Sequence, residues 1–466
     1  MAFGYWKAGT AEHEAVFHLF FREHPFQGGF TMACGLEPVI QLLQQFGFQK
    51  SDLEYLASLK GNDEKPLFTS DFLDYLGQMR FNCHVHAVPE GSIVFPNEPL
   101  LRIQGPLIQA QILETALLNT INFQSLIATK AARICLATRG QAVLEFGLRR
   151  AQGIDGALAA SRAAYIGGCA ATSNVLAGKI YDIPVKGTHA HSWVMSFETE
   201  GEAFRAYAEA MPNNCVFLVD TYDTLQGVKT AIEVGKELRA SGYEMGGIRL
   251  DSGDLAQLSI LARKLLDAAG FKKTQIVASN DLDEYRITAL KKKGATIGIW
   301  GVGTRLVTAY DQPALGGVYK LAALRPPDGA WQYKIKLSEQ GAKISHPGIL
   351  QVRRFWGKDG YLGDIIYHEG WEEVVEQFSS FDGRQMDMKG HDSMDLLQPI
   401  FENGKRIYLP VDIHHIRAYA KEQLACLSGQ FKSIHQSATY PVGLEKKLKA
   451  LKDDLIIFVG KRGAIS

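Results

Sequence analysis

The 466-residue chain has no surplus of either charge: 50 Lys and Arg residues face 50 Asp and Glu residues, for a formal net charge of zero. A nucleic-acid or anionic-membrane partner calls for a basic surplus, so neither is expected and any bound anion must meet a local site. No apolar run reaches the ~18 residues that span a bilayer, and no apolar leader segment opens the sequence, which points to a cytoplasmic protein. Cysteine is sparse. Cys34, Cys83, Cys135, Cys169, Cys215 and Cys426 are scattered without a C-x-x-C pair, which argues for reduced thiols and against a disulfide framework or zinc ribbon. The phosphate-cradling sequence G-x-x-x-x-G-K-S/T is missing, so a nucleoside triphosphate would not be held by a P-loop. Histidine is absent between Ser192 and Ser345, a gap that matters for one rival reading below.

What is present is ordinary globular material, 46% hydrophobic and 21% charged, in a chain long enough for two or three domains. The first hundred residues alternate short elements. Ala15 to Arg22 and Cys83 to Val88 read as strands, Leu36 to Phe46 and Ser51 to Leu59 as helices, with turns at Pro89-Glu90-Gly91 and Gly105-Pro106. His84 and His86 are read as one exposed strand face. Gln111 to Ala137 carries a long helical pattern, and from Pro326 onward strands at Tyr333 to Leu337, Gln351 to Phe355 and Gly360 to Tyr367 precede helical patterns at His415 to Cys426 and Leu444 to Leu451. Expected domains are residues 1–112, an N-terminal α/β sandwich; 113–325, a (β/α) barrel; and 326–466, a β-rich part packing on the first.

The middle third repeats a rhythm of short apolar strand, polar exit and amphipathic helix. Strands are expected at Ala142 to Phe146, near Cys169 to Ala171, at Ile183 to Val185, Cys215 to Val219, Gly247 to Leu250, Gln275 to Ala278 and Thr296 to Trp300. Seven such units suggest a barrel, whose active site lies where the strands end. The exits gather Phe146 to Arg150, Thr172-Ser173-Asn174, Gly187 to Ser192, Asp220 to Asp223, Arg249 to Asp254, Ser279-Asn280-Asp281 and Gly301 to Arg305. His189 and His191, two apart, would share a face if the chain stays extended. Ser279, Asn280, Gly301, Gly303 and Thr304, ahead of helices at the last strand ends, are candidates for a phosphate cradle.

The motifs Glu145-Phe146-Gly147-Leu148-Arg149-Arg150, Gly187-Thr188-His189-Ala190-His191-Ser192, Arg249-Leu250-Asp251-Ser252-Gly253-Asp254 and Gly301-Val302-Gly303-Thr304-Arg305, in this order, closely resemble those of the nicotinate phosphoribosyltransferase family. The resemblance covers nearly the whole chain. It implies an irregular (β/α) barrel of the type II phosphoribosyltransferase kind with an N-terminal sandwich domain and a β-rich C-terminal part. It further implies an enzyme that joins nicotinate to phosphoribosyl pyrophosphate with coupled ATP hydrolysis and Mg²⁺, as a cytoplasmic homodimer with shared active sites. Carried over position by position, the family's roles put Phe146 against the pyridine ring and Arg249 on its carboxylate. Thr188 falls within the matched Gly187 to Ser192 motif. His191 would accept a phosphoryl group from ATP and Asp251 would hold ribose hydroxyls. Asp220 would assist Mg²⁺, Arg149 phosphate, and Arg22 phosphate across the dimer. A neutral Asn174, where nicotinamide enzymes are taken to carry an aspartate, suits a carboxylate substrate.

The family usually carries, ahead of this point, a segment whose tyrosine reaches the ring site of the neighbouring subunit. Here the sequence opens Met1-Ala2-Phe3-Gly4-Tyr5-Trp6, so Tyr5 or Trp6 substitutes or the start lies upstream. Within the fold the runner-up is a nicotinamide-using enzyme. From other classes come a metal-dependent amidohydrolase, whose H-x-H pair would need further histidines at later strand ends, and a sugar-phosphate binding protein, which would need the cradle without His191.

Overall fold

The computed structural model describes residues 1–340, 343–371, 376–435 and 438–463. Its backbone packing separates two units, one of residues 127–313 and one of residues 1–126 with 314–466.

In residues 127–313, six short strands form one sheet: β1 (Ala142–Glu145), β2 (Ala171–Thr172), β3 (Val216–Leu218), β4 (Gly247–Leu250), β5 (Gln275–Ala278) and β6 (Ile299–Val302). Their order is β2-β1-β6-β5-β4-β3, and every pairing is parallel. Parallel neighbours require long crossovers, which are supplied by helices such as Gly153–Ile166, Thr224–Ala240, Leu255–Ala268 and Glu284–Lys292. Asp223, Asp254 and Asp283 start the last three of these by accepting from backbone N–H groups at their first turns. The first strand pairs with the last, Glu145 opposite Val302, so the sheet curls into the expected irregular (β/α) barrel.

Two strand expectations need correction. Ile183 to Val185 is not a buried strand; it makes a single bridge, Thr172 to Val185, because Pro184 has no N–H to give a ladder and Val185 is 43% exposed. The last strand ends at Val302 rather than Trp300, since its pairing with β1 continues through Gly301 opposite Leu144. Gly301 therefore lies inside a strand and not at its exit.

The other unit carries a seven-stranded sheet in the order Gln332–Tyr333, Val318–Arg325, Glu14–Phe20, Leu101–Pro106, His84–Ala87, Gln398–Glu402, Lys405–Arg406. N-terminal and C-terminal segments thus interleave in one sheet instead of packing as separate modules. A six-stranded sheet is built from the C-terminal part alone, around the hairpin Leu350–Gly357 and Gly360–His368. The long helical pattern resolves into Leu107–Ile112 and Glu114–Thr138. A helix at Ser70–Gln78 and a strand at Leu101–Pro106 were not expected from periodicity. His84 and His86 share a half-buried strand face, and burial with the nearby Arg102 charge lowers His86 to about 4.

Candidate active site

Arg249, the third residue of β4, is the hub of the barrel rim. Its Nε donates to Ser279 Oγ at 2.9 Å, Nη1 to Thr188 Oγ1 at 2.9 Å and Nη2 to Asp251 Oδ1 at 3.0 Å. Two strand exits and the loop after Val185 are thereby tied to one planar fork, whose remaining N–H groups can meet a planar anion. The guanidinium carbon lies 5.7 Å from the centroid of the Phe146 ring. Ser279 Oγ also donates to Asp251 Oδ1. Burial pushes the Asp251 carboxyl up, but the Ser279 hydrogen bond and the Arg249 charge outweigh it and hold the group below its usual range.

Asp220, at the exit of β3, accepts at Oδ2 from the Asp251 N–H and from Ser252 Oγ, both at 2.7 Å. Its Oδ1 is buried and has no hydrogen-bond partner among the described residues, so one hard oxygen is left for a cation. Among the described residues no cluster of three or more His, Cys, Asp or Glu side chains can hold a metal by itself. Mg²⁺ is satisfied by one or two carboxylates with water and substrate phosphates, and Asp220 Oδ1 fits that demand. Glu200 is raised to about 7 by burial and by the charges of Asp220 and Asp223.

The two histidines of the H-x-H motif do not share a face. His191 begins the helix His191–Met195; its Nδ1 pairs with Thr221 Oγ1 at 3.1 Å and its Nε2 lies 3.7 Å from Asp251 Oδ2. His189 turns inward, where Nε2 accepts from the Leu218 N–H at 3.1 Å. Burial lowers its pKa to about 4. The start of a helix at His191 breaks the extended geometry that would have aligned the pair.

Phe146 follows β1, its N–H donating to Val302 O at 2.8 Å. A Cβ on Gly301 would stand 2.8 Å from the Phe146 ring and one on Gly303 3.1 Å from the Phe146 carbonyl oxygen, so these glycines give the aromatic its place. This corrects two members of the expected phosphate cradle: Gly301 makes room for the ring, and the Ser279 hydroxyl is engaged by Arg249 and Asp251. Asn280 has φ +104°, a backbone state that costs an ordinary residue ~1–3 kcal/mol and concentrates at functional sites. Thr304 opens the four-residue helix Thr304–Val307.

Asn174 is not an open selector. It is 2% exposed, its Oδ1 caps the helix Val175–Tyr181 by accepting from Ala177 N–H at 3.2 Å, and its Nδ2 donates to Ser161 Oγ at 3.3 Å. With both ends of the amide committed, the partly exposed side chain at this exit is Ser173. Arg149 lies on an exposed turn, Leu148–Arg150. Arg22 belongs to the other unit, after the strand Glu14–Phe20, with Nη2 3.5 Å from Lys343 O. Tyr5 and Trp6 pack within that same unit: Trp6 lies 5.5 Å from Phe72 between ring centroids, and Tyr5 Oη is 3.4 Å from Gln111 Oε1. Thr221 and Ser252, which hold His191 and Asp220, were passed over in the sequence. Both sat in strand exits already singled out, and only their partners distinguish them from turn residues.

The chain matches three family models, described as the nicotinate phosphoribosyltransferase N-terminal domain over residues 1–122, the nicotinate phosphoribosyltransferase family over 142–326 and its C-terminal domain over 351–452. It is 44% identical over 459 residues to the nicotinate phosphoribosyltransferase of Bacillus subtilis, covering 96% of this chain and 91% of that one. With the Bos taurus protein of the same name it shares 34% identity, covering 100% and 96%. The crystal structure of human nicotinic acid phosphoribosyltransferase superposes with a TM-score of 0.84 at 32% identity over 98% of both chains. The fold alone is shared with nicotinate-nucleotide pyrophosphorylase from Pyrococcus furiosus, at a TM-score of 0.68, 22% identity and 91% and 93% coverage. The chain belongs to the nicotinate phosphoribosyltransferase family.

Proposed function

We propose that this chain forms nicotinate mononucleotide and pyrophosphate from nicotinate and phosphoribosyl pyrophosphate, the opening step of NAD salvage. The observation that carries this reading is the Arg249 fork 5.7 Å from the Phe146 ring, an aromatic surface and a planar cation set for a flat ring bearing a carboxylate. The pyridine nitrogen attacks C1 of the ribose as the bond from C1 to the pyrophosphate oxygen breaks, and the electron pair leaves with pyrophosphate. Holding both reactants in register removes much of the entropic barrier. Asp251, kept ionised beside Arg249, faces the ribose hydroxyls. Asn280, Gly303 and Thr304, with Arg149 and, across a dimer, Arg22, are the groups for phosphate. Mg²⁺ at Asp220 Oδ1 would neutralise charge on the leaving phosphates.

ATP enters as co-substrate. Nδ1 of His191 is occupied by Thr221, so Nε2 is the nitrogen that takes the γ-phosphoryl group; ADP leaves, and water later cleaves the phosphohistidine to inorganic phosphate. A homodimer is supported by the apolar side chains that the barrel unit leaves open to solvent, among them Ile154 (68% exposed), Val175 (69%), Ile180 (52%) and Met195 (66%). No helix among the described residues is long and apolar enough to cross a membrane, and a cytoplasmic location goes with this salvage role.

The test is a steady-state assay of the purified chain with phosphoribosyl pyrophosphate and Mg²⁺, comparing nicotinate with nicotinamide, each with and without ATP. Mononucleotide formed from nicotinate and stimulated by ATP is the expected result. Preferential use of nicotinamide would overturn the acid specificity.

A further inference from the structure

Next to Phe146 in the chain is a buried carboxylate that the reaction as described does not use. Glu145, the last residue of β1, is 1% exposed and has no ion pair among the described residues. Its Oε1 accepts from the Gly147 N–H. Its Oε2 accepts from Ser161 Oγ at 2.8 Å and from Thr172 Oγ1 at 2.6 Å. Those hydroxyls are themselves 1% exposed and are shared onward: Ser161 Oγ receives Asn174 Nδ2 at 3.3 Å and Thr172 Oγ1 receives the Asn174 N–H at 3.0 Å.

Burying a carboxylate is costly unless hydrogen bonds compensate, and a chain that needed only a filled core would place an apolar side chain here. This carboxylate pins the two residues on either side of Phe146 in space. It is residue 145 itself, and it holds the N–H of Gly147. Gly147 lies close against Val307, where an added Cβ would stand 2.2 Å from Cγ1. On the other side, the Phe146 ring rests where Gly301 leaves room. The second oxygen, Oε2, reaches the end of β2 through Thr172.

We infer that Glu145 is a positioning residue for nicotinate: its carboxylate locks the Phe146 ring and the β2 exit in the orientation that meets the Arg249 fork, and so sets affinity for the pyridine substrate and not for the phosphoribosyl donor. This rests on the proposed function. Substituting Gln for Glu145 keeps the volume but replaces one acceptor by a donor, so the Gly147 N–H and the two hydroxyls can no longer all donate to the side chain.

The experiment measures both Michaelis constants for the full-length unsubstituted chain, Glu145→Gln and Ser161→Ala, with thermal melting recorded alongside. The expected result is a rise in the KM for nicotinate of about 10-fold in Glu145→Gln and about 3-fold in Ser161→Ala, with the KM for phosphoribosyl pyrophosphate changed less than about 2-fold in both. Equal rises for the two substrates, or no rise in a variant that melts like the parent, overturn the role of Glu145. If Glu145→Gln does not fold, the nicotinate-selective shift in Ser161→Ala decides the matter alone. An unsubstituted chain that makes no mononucleotide from nicotinate overturns the functional reading instead, so the two failures are told apart.

Discussion

The backbone N–H of Leu218 donates to Nε2 of His189 at 3.1 Å. That bond runs from the edge strand β3 to the segment that leaves Val185, where the parallel ladder is missing. An imidazole stands in for a strand: the edge N–H that a neighbouring carbonyl would have taken is taken by a side chain. Nε2 must then be the unprotonated nitrogen, with the proton on Nδ1 facing Ala190 O at 3.5 Å.

Protonating His189 breaks this bond, which gives stability a direction with pH. Its folded-state pKa of about 4 lies below the ~6.5 of a free histidine, so between those values the unfolded chain takes up a proton that the folded chain refuses. The contribution is complete above ~6.5 and is lost as pH falls toward 4. His24 and His346, lowered by burial to about 3, act in the same sense. The melting temperature should fall between pH 7 and pH 5. His189→Gln, which can accept through its amide oxygen, should fold with a shallower pH slope. His189→Ala should cost ~1–3 kcal/mol by leaving the Leu218 N–H unpaired. A pH slope identical in parent and His189→Gln would remove His189 from this role.

Arg249→Lys should fail as a conservative change. A single ammonium cannot reach Ser279, Thr188 and Asp251 together, so the KM for nicotinate should rise about 10- to 100-fold with a smaller effect on the phosphoribosyl donor. A loss confined to the donor would place the carboxylate partner elsewhere.

His191→Ala should abolish stimulation by ATP and leave a residual ATP-independent rate. Incubation with ATP labelled in the γ-phosphoryl group should mark the parent with an acid-labile phosphate and leave the variant unmarked. Unchanged stimulation or labelling in the variant would exclude His191.

Gly301→Ala tests the seating of the aromatic ring. A methyl group 2.8 Å from Phe146 forces the ring to move at a cost of ~1–3 kcal/mol. The kcat/KM for nicotinate should drop about 10-fold or more in a protein that still folds, since the backbone of β6 is otherwise ordinary. Full activity would mean that the ring position is not critical.

Asp220→Asn removes the anionic oxygen proposed for the cation. Mn²⁺ binding, followed by the loss of its free-ion paramagnetic resonance signal on adding the protein with pyrophosphate, should weaken about 10-fold or more. Unchanged Mn²⁺ affinity would move the cation site off Asp220.

The barrel was legible because each βα unit repeats one pattern, and parallel strands buried on both faces read as short apolar runs with polar exits. Arg249 and Asp251, two apart on one strand end, could be picked out together as candidates. Asn174 and Ser279 misled for a common reason. A polar residue at a strand exit looks the same in sequence whether it faces a substrate, caps a helix or braces an arginine, and only its hydrogen-bond partners separate those uses. Gly301 was taken for a phosphate turn because the end of β6 was placed two residues early, and a shift of that size changes what a glycine is for.

By itself the sequence determined the alternation of strand and helix, the set of groups available at the strand exits and their order, since these depend on local periodicity and residue chemistry. The tertiary structure decided which of those groups meet. It sent His189 into the gap beside Leu218 and left His191 on the rim, spent the Asn174 amide on a helix, and buried Glu145 next to Phe146. Apart from the cap that Asn174 sets on Ala177, three residues on, the contacts behind these outcomes join residues 13 to 30 positions apart in the chain, and no local rule of propensity or spacing carries that information.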